Sequence, residues 1–185
     1  MLSGEVTPAG QVRFTLNESF ALGELPEGTS ARIQTLVRAG IWAEAAAQVR
    51  TVEWSKYALF MSWMAPAVLT RLATYKFLTH PDTAALVVQL LQESARLAAR
   101  LDITLEDRGP LPVKTLCGMP RAEAVATIRR LAAVMEAQAP AHKLSILQDL
   151  ERGRRLEIEE TLGYAVRKGL ELDVPLPTID TCSRR

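Results

Sequence analysis

Residues 57–69, YALFMSWMAPAVL, limit the fold of this 185-residue chain more than any other stretch. They lie in a region, 51 to about 74, whose periodicity reads as one long helix, and they are apolar nearly all round. A helix with no polar face has to be surrounded, so this run predicts an element in the middle of a helical bundle. It is too short to cross a bilayer, which takes about 20 apolar residues. Pro66 inside it removes a backbone donor and is expected to bend the helix.

The downstream pattern supplies the surround. Pro81-Asp82 opens a helix to about Leu101 with Ala85, Val88, Leu91, Ala95 and Ala98 on one face. TLEDRGPLPVK reads as a linker-like loop, followed by a helical turn over 113–117 and a helix over about 121–137. Pro140 opens another helix, stopped after Arg152 by Gly153, and Leu156 begins the next, with Ile158, Leu162, Ala165, Val166, Gly169 and Leu172 inward. VPLP breaks the chain before a last short helix.

The β signal is confined to the N-terminal end. Residues 11–25 read as a hairpin: QVRFTL, the polar pair Asn17-Glu18, then SFALGEL, with Val12, Phe14 and Leu16 alternating on one face. Ser30 is a candidate N-cap for ARIQTLVRAG, where Ile33, Leu36 and Val37 form a stripe and Gly40 ends the helix. IWAEAAAQVR is open between a short strand and a helical turn. The predicted fold is mainly α: a helical bundle over 51–185 preceded by a short β-hairpin and helix element over 1–50.

Composition narrows the function. With 48% hydrophobic residues, 23% charged residues and a net charge of +1, the chain reads as globular, with no call for a polyanion such as nucleic acid. MLSGEVTPAG has neither the basic flank nor the apolar core of a signal peptide, so a cytoplasmic location is expected and a membrane is not. Cys117 and Cys182 stand far apart, with only His80 and His142 as helpers, and are expected as free thiols without zinc. There is no G-x-G-x-x-G, G-x-x-x-x-G-K-[ST] or H-E-x-x-H. A nucleotide cofactor would have to be held elsewhere.

Three residues could carry chemistry. Lys56 has Phe60 and Trp63 or Met64 one or two turns along its face, where desolvation would make its ammonium a usable proton donor; the plainer reading is a lysine with its stem on the bundle edge and its head in water. Ser145 and Asp149 share a helical face, so the serine either grips a substrate oxygen or bonds its own helix backbone. Glu157, Glu159 and Glu160 are read in the first turn of a helix, where the dipole favours carboxylates. Glu157 alone lies between Leu156 and Ile158, and is expected to face Lys56 across the bundle as an acid–base pair.

These residues sit in a recognisable frame. Residues 144–177 carry S-x-L-Q-D-x-x-x-G-R-x-x-E-I and then G-x-x-V-x-x-G-x-x-x-x-V-P-x-P. This resembles the C-terminal signature of ketopantoate reductases (2-dehydropantoate 2-reductases). W-S-K at 54–56 is similar to that family's W-x-K, and G-Q-V-R-F followed by ALGEL looks like its last strands before the helical domain.

The resemblance implies a helical domain of the 6-phosphogluconate dehydrogenase C-terminal type, with residues 1–50 a remnant of the end of a Rossmann domain. It implies an NADPH-dependent oxidoreductase of pantothenate biosynthesis that reduces a 2-oxo acid. Lys56 would protonate the carbonyl oxygen, Glu157 would orient lysine and substrate, and Ser145 would bind substrate. Where the family places two asparagines after the lysine, Phe60 and Met64 line the substrate position here, and Leu162 replaces a third; such a pocket is unsuited to the hydroxyl-rich end of ketopantoate. The expected partners are a 2-oxo acid and either a Rossmann-domain subunit or a second copy in a homodimer. The alternatives are a stand-alone dimeric binding or assembly domain, and an enzyme without nicotinamide that has an apolar pocket.

Overall fold

The computed structural model describes residues 2–6, 9–17, 20–26, 28–40 and 42–184. Two small sheets precede a helical bundle. β1 (Leu2–Val6) pairs antiparallel with β2 (Val12–Asn17), from Val6 opposite Val12 to Leu2 opposite Asn17, with an irregularity between Ser3 and Gly4. β3 (Phe20–Leu22) pairs parallel with β4 (Ala43–Ala45), and the crossover between them is α1 (Ala31–Arg38).

The hairpin is therefore not the one expected over 11–25. QVRFTL forms its strand, but its partner lies upstream, with Gly10 (φ +78°) in the connection, and SFALGEL supplies β3 to a different sheet. Alternation marks a strand without naming its neighbour. Glu18 of the expected turn lies outside the described residues. The open segment after Gly40 resolves into both options, since Ala43–Ala45 is a strand and Val49 already begins a helix. Ser30 does cap α1, accepting from the Ile33 N–H at 3.4 Å.

α2 (Val49–Thr70) is the buried central helix, and its backbone stays helical through Pro66. It ends four residues earlier than expected because Arg71 takes the left-handed conformation (φ 55°) and donates its N–H back to the Ala67 oxygen at 2.9 Å. An arginine in that role leaves no glycine to read. A short α3 (Thr74–Thr79) follows, then α4 (Pro81–Arg100), which lies along α2. α5 (Val113–Gly118) and α6 (Arg121–Gln138) complete the near half, with α6 packed on α3 and α4. Met61, Met64, Phe77, Leu78, Leu90, Leu91, Leu97 and Ile128 fill the space between these helices.

The last third holds two corrections. α7 is Ser145–Glu151, and residues 140–144 are not helical. Thr74 takes up that segment instead: its N–H donates to the His142 oxygen at 3.0 Å, and its hydroxyl meets His142 Nδ1 at 2.8 Å. α8 is Leu162–Glu171, so Glu157, Glu159 and Glu160 stand in the coil and turns before it, not in a helical first turn. The inward set of that segment is as expected, with Leu162, Ala165 and Gly169 buried and Ile158, Val166 and Leu172 half-buried.

Two polar anchors fix the periphery. The fully buried Glu93 carboxylate on α4 accepts from the N–H groups of Thr178 (3.1 Å) and Ile179 (2.9 Å), holding the start of α9 (Pro177–Ser183). The loop 102–112 is tied down as well. Ser55 on α2 accepts from the Glu106 N–H at 2.9 Å, and Arg108 joins Glu106 to Glu44 of β4. What reads as a linker is a strut between the small sheet and the bundle.

Candidate functional site

Lys56 is exposed on α2, between the buried Ser55 and the half-buried Tyr57, which is the bundle-edge reading of this lysine and not the desolvated one. Phe60, one turn on, is half-buried, and Met64, two turns on, is only 1% exposed. Ser145 is the exposed first residue of α7, a helix that packs on α2. Glu157 is exposed, while Leu156 and Ile158 beside it are half-buried. Among the described residues no ion pair or hydrogen bond joins Lys56 to Glu157. The direct pair expected from sequence is not formed within this chain.

The three groups share another property. Among the described residues, the Lys56 ammonium, the Ser145 hydroxyl and the Glu157 carboxylate each make no side-chain hydrogen bond or ion pair. Much of the charged corner around them is internally paired, Asp149 with Arg154 at 3.4 Å, Lys143 with Glu151 at 2.6 Å, Arg155 with Glu160, and Arg167 with Glu159 at 3.7 Å, while Arg152 makes no side-chain bond among the described residues. Ser145 does not bond its own helix, and Asp149 four residues on is engaged elsewhere.

Sequence reading missed what holds the corner. The Tyr57 hydroxyl donates to the main-chain oxygen of Thr161 at 2.7 Å. The Thr161 hydroxyl donates to the Glu157 main-chain oxygen and lies 3.2 Å from the Met64 sulphur. Tyr57 itself is gripped edge-on by Trp54 (centroids 5.3 Å apart) and Tyr164 (6.0 Å), and burial holds its phenol above the ordinary range. The available signal was the seven-residue spacing of Tyr57 and Met64, which puts both on one stripe of α2.

A concavity of about 470 Å³ lies between the end of α4 and α5, lined by Ala95, Ile103, Leu105, Lys114 and Cys117 among others. None of the site residues expected from sequence lines it. Cys117 is a free thiol pushed up to about 11, first by burial and then by Asp107, so it stays protonated at neutral pH. Cys182 is also free. Among the described residues no group of His, Cys, Asp or Glu is placed to hold a metal ion, and no helix is long and apolar enough to cross a membrane.

The strand–helix–strand unit offers one test of a nicotinamide dinucleotide. A pyrophosphate needs open N–H groups at the helix start. At the start of α1 the Ser30 hydroxyl already accepts the Ile33 N–H at 3.4 Å, and beside it stands the Glu24 carboxylate, bonded to Ser30 and to Arg32 (2.6 Å) and held below the usual carboxylate range, first by Ser30 and then by Arg32. The start of α1, with a carboxylate beside it, does not fit a pyrophosphate.

Residues 48–184 match the family described as the ketopantoate reductase PanE/ApbA C terminal. The chain belongs to this family. It is 28% identical over 180 residues to a 2-dehydropantoate 2-reductase of Mesorhizobium japonicum, which covers 95% of this chain and 49% of that protein. The chain therefore spans about half the length of that relative.

Solved structures agree on the fold. The 2-dehydropantoate 2-reductase of Methylococcus capsulatus is similar over 99% of this chain and 54% of its own, with a TM-score of 0.71 and 24% identity. That of Geobacter metallireducens covers 99% and 56%, with a TM-score of 0.75 and 17% identity. A D-mandelate dehydrogenase solved with NADH covers 99% and 62%, with a TM-score of 0.74 and 19% identity. The bundle is thus the helical domain of ketopantoate-reductase-like proteins, and Lys56, Ser145 and Glu157 all fall inside the family match.

Proposed function

We propose that this chain is the substrate-binding and proton-donating half of a ketopantoate-reductase-like oxidoreductase acting on a 2-oxo acid. The supporting observation is that Lys56, Ser145 and Glu157 fall inside the family match and are exposed, with no side-chain partner of their own among the described residues. Polar groups left unbonded on a packed scaffold are free to bind a ligand. The exposed ammonium of Lys56 donates its proton to the carbonyl oxygen as that oxygen gains negative charge, giving the hydroxyl of a 2-hydroxy acid. The Ser145 hydroxyl donates to the substrate carboxylate. Glu157 orients the lysine and the substrate from the corner before α8. Phe60, half-buried one turn from Lys56, favours an apolar substituent on the acid over a hydroxylated one.

The nicotinamide cofactor, which supplies hydride in this chemistry, belongs in this reading to an α/β domain outside the described residues. The small parallel sheet supports that. Parallel strands are ordinarily covered on both faces. Here β3 and β4 pair with no further strand among the described residues and are only partly buried, with Phe20 of β3 50% exposed and Trp42 before β4 62% exposed. Residues 1–50 then read as the end of that domain and 51–185 as the helical domain.

The test is nuclear magnetic resonance of the chain titrated with phenylglyoxylate and with ketopantoate. The Lys56, Ser145 and Glu157 signals should move together, at lower concentration for phenylglyoxylate. Movement confined to other residues would refute the assignment.

A further inference from the structure

We infer that Tyr57 is a positioning residue which, through Thr161, fixes Glu157 relative to Lys56. This rests on the reading of those two residues as the reacting pair. Lys56 and Tyr57 are consecutive on the buried helix α2, so the phenol and the ammonium start from one rigid turn. From there the connection runs through two hydrogen bonds, Tyr57 hydroxyl to Thr161 oxygen (2.7 Å) and Thr161 hydroxyl to Glu157 oxygen. Met64, seven residues after Tyr57 on the same stripe, sets its sulphur 3.2 Å from the Thr161 hydroxyl.

Besides these contacts of Thr161 with Tyr57 and Met64, no side-chain hydrogen bond ties the corner to α2 among the described residues. Arg155 bonds Glu160 within it, and Arg167 on α8 reaches the Glu159 oxygen at 3.2 Å. Neither Lys56 nor Glu157 has a side-chain partner that would place it independently. Their relation is therefore set by main-chain position, and Thr161 is where a side chain of α2 is bonded to the main chain of the corner. The ring that delivers the bond is itself fixed, because Trp54 and Tyr164 meet it edge-on at 79° and 72°. The contact is also buried enough to hold, with Tyr57 and Thr161 both partly shielded and Met64 at 1% exposure.

The test uses Tyr57→Phe, which keeps the ring and deletes one hydroxyl, and Thr161→Val, which keeps the shape and deletes the other. Two readouts are taken on the full chain. Amide exchange at Thr161 and Gly163, whose N–H groups bond the Ile158 oxygen at 3.3 and 2.9 Å, should speed up about tenfold in each variant, with the α4 amides unchanged. On titration with phenylglyoxylate, the Lys56 ammonium signal should still respond while the Glu157 carboxylate response is lost. A merely structural role would change both responses alike. Unchanged exchange at the corner, or equal responses of Lys56 and Glu157 in wild type and variants, overturns the proposal. If the wild-type chain shows no response to the acid at either residue, the 2-oxo acid reading fails, and the exchange result alone accepts or rejects the Tyr57–Thr161 tie.

Discussion

The buried carboxylate of Glu93 accepts the main-chain N–H of Ile179 at 2.9 Å, joining α4 to the first turn of α9 across 86 residues of sequence. Thr178 donates to the same group, and Pro177 at the head of α9 needs no acceptor. Both available N–H groups of that turn are thus satisfied by one side chain. Glu93→Gln replaces an acceptor with an NH₂ that faces N–H donors. It should cost about 1–3 kcal/mol of stability, read by thermal unfolding, and should free α9 first in amide exchange.

Gly169 on α8 is fixed by close approach. A Cβ there would stand 2.7 Å from Leu176 Cδ1 and 2.9 Å from the Val174 oxygen, and the second of these is backbone that does not yield cheaply. Gly169→Ala should destabilise by about 1–3 kcal/mol in urea denaturation, despite the higher helix propensity of alanine.

His142 predicts a pH dependence. It is 8% exposed, with Nδ1 on the Thr74 hydroxyl, and burial lowers its pKa from 6.5. The unfolded chain then takes up this proton at a higher pH than the folded one does. Stability is fully present above 6.5 and falls as pH drops below it, levelling off under the folded-state value. Denaturation followed from pH 7.5 downward should show that loss, and His142→Gln should flatten it.

Cys117 should resist alkylation. A thiol raised from 9.0 to about 11 carries roughly a hundredfold less thiolate at pH 8, so iodoacetamide should modify it about that much more slowly than an unfolded control. Labelling at the unfolded rate would contradict the burial described for α5.

The bundle was legible in sequence where one face told the whole story. The all-round apolar run of α2 and the Pro-started α4 emerged within a few residues of expectation, and the inward stripe through Leu162, Ala165 and Gly169 emerged as read although its helix starts later than expected. What could not be read were choices made at a distance. β2 pairs with an upstream partner, His142 in the non-helical 140–144 bonds Thr74, and α8 begins at Leu162, directly after the Thr161 oxygen that Tyr57 bonds. The site shows the same division. Lys56, Ser145 and Glu157 were named from spacing and motif, whereas their exposure and the missing Lys56–Glu157 contact depend on how α2 meets the corner.

The most direct test of the central proposal joins this chain, in one polypeptide, to the half of the Mesorhizobium japonicum reductase that it does not match, and follows NADPH oxidation with phenylglyoxylate. The proposed role predicts turnover that Lys56→Ala lowers about 10²- to 10⁴-fold with the fold intact. A fusion that binds NADPH and reduces the acid equally well with Lys56→Ala would contradict it.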